Sequence, residues 1–477
     1  MGRPLAATVA GQQWRLLMRD RRLFLLGFAL LLLLCTAGLT GAALHAGREA
    51  ERRDAQSNEA QIWAQQGAAN PHGAAHFGRY LFKPTSPLAA FDPGLLPQLG
   101  TSLKLEAHAN NPARHRAIDG GTALDRFGDL SPATMLQVLA PLLIILSGFA
   151  AFAGEHARGL LRQELAAGTG PTMLMAGRLA AFGGLAVGLV AVAALASAAA
   201  LPLAGAAASD FAALLWIMAG HALYLFTFAA LTLGASAAFT SARTALVLLL
   251  AFWAMATLFV PRIAPSIAES LAPTLSGPAF EAAVTKQMRE GPSGHDPQDA
   301  RLQRLREETM RRYGVSKIED LPIDFNGVAL FHGEALSTSL YRRHFATLYE
   351  GYDRQAEIQR GFALLSPLQA IRPWSRALAG SDQHAHRRFL EQAELFRYEL
   401  VQRLNGAIIV RPRTGGAGPF LADVAAITRD ARFTPEPPST REAVSRHGVD
   451  LAILAAWAAI GTLFAFAAGN RLGRSNA

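Results

Sequence analysis

The chain alternates between uncharged apolar runs and polar stretches on a scale of tens of residues, too coarse for the faces of soluble helices or strands. The first run, LFLLGFALLLLLCTAGLTGAAL, carries no charge. A helix rising about 1.5 Å per residue needs about 20 apolar residues to cross about 30 Å of hydrocarbon, and six runs come near that length. They predict spans at 23–46, 133–153, 179–203, 211–239, 241–261 and 449–469, the fifth cut off by Pro261 and Arg262. The third is rich in Gly and Ala, which suits close helix packing in lipid. The first exceeds the apolar core of about 7 to 15 residues in a cleaved signal peptide and is read as a span. The fold class that follows is an all-α polytopic membrane protein, with six transmembrane helices and two mainly helical extracytoplasmic inserts at 47–132 and 262–448.

Polar patterning fills in the remainder. Residues 1–22 read as a cytoplasmic interfacial helix, with Leu5, Val9, Trp14, Leu17 and Met18 on one broad side and Arg15 and Arg19 on another. The first insert opens by prolonging the first span (GREAERRDAQSNEAQIWAQQ). It continues as NPHGAAHFGRYLFKPTSPLAAFDPGLLPQLG, whose Pro and Gly punctuation predicts loop. In the second insert RLQRLREETMRRYGV suits an exposed charged helix, LPIDFNGVAL reads as a linker, and 334–362 has helical spacing. A further helix is expected over 382–405, with Asp382 as N-cap and Gly406 just past its end.

Orientation follows from Lys and Arg close to the span ends. Arg3, Arg15, Arg19, Arg21 and Arg22 precede the first span; Arg158, Arg162 and Arg178 lie between the second and third; Arg243 lies at the turn where the fifth begins; Arg471 and Arg474 follow the last. The connection at 202–210 has no Lys or Arg. Both termini, including a tail at 470–477, are therefore expected in the cytoplasm and both inserts outside it. The net charge of +9 points to anionic membrane lipids, because no nucleic-acid-binding motif accompanies it. Cys35, the single cysteine, lies within the first span and forms no intrachain disulfide.

Catalytic chemistry is not legible. The chain has no G-x-x-x-x-G-K-[ST], H-E-x-x-H, G-x-S-x-G or paired C-x-x-C, so no catalytic residue and no nucleotide site of its own is expected. His221, midway along the fourth span, is a candidate intramembrane polar contact, since an ionisable group in hydrocarbon marks function unless a hydrogen bond satisfies it in its neutral form. His72 and His76 have ligand spacing only on a helix, whereas Pro71 and Gly73 predict a loop; His384 and His386 fall on different sides of a helix. With His108 also weighed, no metal site is expected.

The connection at 154–178, GEHARGLLRQELAAGTGPTMLMAGR, places an acidic residue after the second span. A short amphipathic helix, a Gly-punctuated turn and a basic residue opening the third span follow. This resembles the coupling segment of ABC-2-type permeases. The phrases NPHGAAHFGRYLFKPTSPLAAFDPG, YGVSKIEDLPIDFNG and SPLQAIRPWSRALAGSDQHAHRRFLEQAE are similar to a bacterial subfamily of these permeases with a large periplasmic domain of unknown function. The resemblance implies an export-type permease subunit of the bacterial inner membrane, paired with a second permease, itself or a sister chain. Two separate ABC ATPase subunits would drive it, with ATP and Mg bound there and no cofactor bound by this chain. It also implies that Glu155, Arg158, Gly159, Leu160, Arg162 and Gly168 dock against the ATPase. Two other readings stay open: a membrane-anchored enzyme or assembly factor, and an ABC-2-like mechanotransmitting protein.

Overall fold

The computed structural model describes residues 2–116, 119, 130–290, 300–411 and 420–476. The protein is mostly helical and membrane-embedded. Among the described residues five helices are long and apolar enough to cross a bilayer, and a sixth apolar helix, Pro132–Gly148, is shorter.

Helix α1, Gly2–Arg19, is separated from α2, Arg21–Ala64, by Asp20. The Asp20 carboxylate accepts from the backbone of Arg22 at 2.9 Å and Leu23 at 3.4 Å, so the break is an N-cap. Helix α1 packs on the third apolar helix: a Cβ at Gly177 would meet Val9 and Ala6, and Trp14 lies over Gly184. At 44 residues α2 is about twice as long as a span requires, and its polar second half stands clear of the apolar run.

The stretch expected to be loop holds regular structure. Helix α3, Pro71–Phe77, starts because Asn70 caps it, accepting from Gly73 N at 2.9 Å, and because a proline at the first helical position sacrifices no hydrogen bond. The punctuation read as loop is here a helix-start signal. A four-stranded antiparallel sheet follows. Strand β3, Gly100–Glu106, pairs on one edge with β2, Arg79–Phe82, and on the other with β4, Ala109–Asn110, and β5, Arg114–Arg116. A two-residue pair joins β1, Ala68–Ala69, to β6, Ala422–Asp423. The first insert is therefore mixed helix and sheet.

Helix α4, Pro132–Gly148, is shorter than the expected span at 133–153 and contains a π segment, Met135–Leu139. A π turn frees backbone carbonyls. Two are taken by side chains of neighbouring helices: Tyr224 Oη donates to Gln137 O at 2.6 Å and Trp253 Nε1 to Val138 O at 3.0 Å. Next come α5, Glu155–Ala166, α6, Pro171–Ala200, α7, Ala208–Ala238, and α8, Ala242–Leu271. Helix α8 runs on past Pro261, where the sequence predicted a stop. A second π segment, Met255–Phe259, ends two residues before the proline and accommodates the hydrogen bond its ring cannot make.

The second insert is helical: α9, Gly277–Glu290, α10, Ala300–Tyr313, α11, Phe325–Gly361, α12, Leu368–Leu378, and α13, Gln383–Ile409. Residues expected as linker form the first turns of α11, because Asp324 caps Asn326 N. Asp382 caps α13, accepting from Ala385 N at 2.9 Å, but the helix continues through Gly406 to Ile409. The last long helix, α14, Thr440–Asn476, is kinked at His447, whose Nδ1 lies 2.6 Å from Asp450.

Two cores organise these elements. One joins the apolar helices with Leu368, Ile371 and Trp374 of α12. The other packs Trp63, Leu81, Leu103 and Leu105 of the first insert against Phe389, Phe396, Leu400 and Leu404 of α13. The inserts therefore share one core and form one body, seated on the apolar helices through α12.

Candidate functional site

The connection between α4 and α6 is held at several points. Phe152 N and Ala153 N donate to Ser236 Oγ at 2.8 and 3.3 Å, and Gly154 N donates to Thr240 O at 3.0 Å, which ties the strap before α5 to the end of α7. Gly154 takes a φ of +92°, a conformation that glycine adopts without strain. On α5 Leu161 is buried, Arg158 and Gly159 are half-buried, and Leu160 and Arg162 are exposed. Glu155 opens the helix, but its side chain lies outside the described residues. Gly168, exposed with a φ of +83°, reverses the chain toward α6.

Arg178 does more than open the third apolar run. Almost fully buried, it donates to Ala151 O at 2.5 Å and to Glu164 at 2.8 Å, with its guanidinium 4.2 Å above the Phe152 ring. One side chain thus joins the strap, the far end of α5 and α6. Neither Glu164 nor Ser236 stands out in the sequence. The 14-residue separation of Glu164 and Arg178 becomes a contact only because Gly168 turns the chain back.

His221 is completely buried on α7. Its Nδ1 donates to Ile217 O at 2.9 Å, which leaves Nε2 as acceptor, 3.3 Å from Gln137 Nε2 on the π segment of α4. The ring meets Phe91 edge-on at 5.6 Å. Both nitrogens have polar partners, and the contact with Gln137 joins α4 to α7.

In the joined inserts, the helical conformation of 71–77 brings together the residues that a loop would have kept apart. His72 and His76 lie one turn apart, Nε2 to Nε2 3.1 Å, and one ring nitrogen from each of His72, His76 and His108 lies within 4.8 Å of the others. This corrects the expectation that no metal-ligand geometry forms here. His384 and His386 diverge as expected of neighbours two apart: His384 Nε2 is 3.2 Å from Glu442, and His386 Nδ1 is 3.3 Å from Lys83 Nζ. Burial, helped by Lys83, pushes His386 down to about 3; burial likewise brings Lys83 down to about 8.

Below the three histidines lies a buried ion cluster. Arg397 donates to Glu334, to both Glu394 oxygens at 2.8 and 2.9 Å, to Thr338 at 2.8 Å and to Glu106 O at 3.1 Å. Burial alone would raise the Glu334 carboxyl; hydrogen bonds from His108 together with Arg397 outweigh it and hold it at about 2.

Residues 280–433 match the family described as Domain of unknown function (DUF3526). No curated protein matches the chain.

Proposed function

We propose that this chain is the transmembrane permease subunit of an ABC-2-type, export-type ABC transporter. In this reading Pro132–Gly148 serves as a short second span, which makes six. Both termini and α5 face the bacterial cytoplasm, and the joined inserts form a periplasmic domain. The observation that carries the reading is the clamped helix α5. It lies between two apolar helices, buries Leu161, and turns Leu160 and Arg162 outward. Arg178 fastens it to α6, and Ser236 fastens the strap leading into it to α7.

A helix so fastened passes a displacement to two membrane helices at once, because packed interiors transmit strain instead of absorbing it. ATP and Mg would be bound by separate ATPase subunits, whose closure pushes on Glu155, Arg158 and Arg162. A second permease, the same chain or a sister, would complete the pathway.

A mechanotransmitting role is the second reading. Helix α12 is wedged against α7 through Trp374, which suits rigid transmission to the external domain.

Co-expression with an ABC ATPase of the same genome, followed by capture through a tag on this chain, tests the assembly. Stable capture with ATP turnover, abolished by Glu155→Arg or Arg162→Glu in a folded protein, is the expected result. Capture indifferent to both substitutions would remove the coupling argument.

A further inference from the structure

Three histidines from two separate elements converge on the joined inserts. His72 and His76 come from α3, and His108 comes from the tip of the β3–β4 hairpin. The ring centroids are 4.7, 5.4 and 5.5 Å apart. Three nitrogens around a tetrahedral ion with metal–nitrogen bonds of about 2.0–2.1 Å sit about 3.3 Å from one another. The His72–His76 separation of 3.1 Å already meets that spacing. The remaining separations lie within 4.8 Å, a gap that small rotations of the rings close.

Each of two rings is also oriented from behind. Glu334, fully buried, places Oε2 3.0 Å from His108 Nδ1 and 2.9 Å from His108 N. The carboxylate fixes the proton on Nδ1 and makes Nε2 the basic nitrogen. Asn405 places Oδ1 3.1 Å from His72 Nδ1, which leaves Nε2 of that ring facing His76. A carboxylate or amide oxygen on the far nitrogen is the usual support of a metal-bound imidazole. His108 has a φ of +61°, a conformation costly for any residue with a Cβ, and Glu334 holds both its backbone and its ring there.

We propose that His72, His76 and His108 bind one divalent transition-metal ion of the zinc class. Neutral imidazoles suit such ions and are poor ligands for Mg2+ or Ca2+. Three protein ligands leave a fourth position, on the side of the exposed His76, for water or an external ligand. The ion would also fasten the first insert to the second, since Asn405 belongs to α13 and Glu334 to α11. The inference is independent of the transporter reading: all three ligands lie outside the matched residues 280–433, whereas both orienting residues lie inside them.

The test uses the full chain in detergent, purified through a tag without histidines, stripped with chelator and titrated with Co2+ and then Zn2+. Visible Co2+ absorption saturating at one ion per chain, displaced by Zn2+, is expected. Affinity should fall at least tenfold in His76→Ala and His76→Gln and stay unchanged in His384→Ala. The exposure of His76 makes both variants compatible with folding. In the wild type, Zn2+ should protect these three histidines from acylation by diethylpyrocarbonate, read by peptide mass spectrometry, which needs no variant. Binding below one equivalent, affinity indifferent to His76, or no protection of these histidines would overturn the proposal.

Discussion

The indole Nε1 of Trp374 donates to the carbonyl of Trp216 at 2.9 Å, and the two rings meet edge-to-face at 6.1 Å. This contact seats the insert helix α12 on the apolar helix α7. It is possible because Gly220 leaves room: a Cβ there would lie 2.6 Å from both Cδ1 and Nε1 of Trp374, which has no free space to move into. Gly220→Val is therefore expected to destabilise the protein by about 1–3 kcal/mol, the usual range for overpacking. Gly188→Ala, with nothing within 4 Å of the new Cβ, is expected to be neutral or slightly stabilising. Thermal melts in detergent compare the two; equal midpoints would contradict the close approach.

Arg178→Met should loosen α5 without removing any residue from its outward face. The buried guanidinium holds Ala151 O and Glu164 together, and methionine fills the same volume without doing so. Membrane insertion should persist, while ATP turnover of the proposed ATPase assembly should fall several-fold. Arg178→Lys, a single point donor in place of a planar fork, should recover only part of it. Full turnover in Arg178→Met would show that the clamp does not transmit.

Breaking the buried ion cluster should be costly. Arg397→Met leaves Glu334 and Glu394 without their counter-ion in the interior, an arrangement that typically costs about 3–5 kcal/mol. Adding Glu334→Gln should restore part of the loss, because a neutral amide is cheaper to bury than an unpaired carboxylate. Denaturant unfolding of both variants measures the recovery, and strict additivity of the two changes would refute the coupling.

The Lys83–His386 contact predicts a pH dependence. Burial first, then the Lys83 charge, keeps His386 neutral down to about 3, and Asp382 opposes only part of the burial effect on Lys83. An unfolded histidine takes its proton near 6.5, so between about 6.5 and 3 the unfolded state binds the extra proton and stability falls as the pH falls. The slope from this group is at most one proton, about 1.4 kcal/mol per pH unit. His386→Asn keeps an acceptor for Lys83 but does not titrate. Its melting midpoint should fall less than the wild type's between pH 6.5 and 4; parallel curves would assign the acid sensitivity elsewhere.

The apolar helices are legible in the sequence because lipid requires an unbroken apolar run and leaves few alternatives. Their ends are less so. Pro261 reads as a stop, and only the π turn before it shows how the helix continues. Pro71 and Gly73 read as loop, although the same proline at a first helical position, behind an asparagine cap, starts a helix as readily as it breaks one. That ambiguity hid the spacing of His72 and His76, since a one-turn separation has meaning only once the helix is known.

The sequence by itself determined the membrane character, the large polar inserts and the short amphipathic helix between two apolar ones, because each is a local property of composition and period. Tertiary structure alone decided that the inserts share a core, that Arg178 reaches Glu164, and that His108 joins His72 and His76. The orienting contacts of that cluster link residues 226 and 333 positions apart. Such pairings depend on which faces the whole chain buries together, and a run of residues carries no record of its distant neighbours.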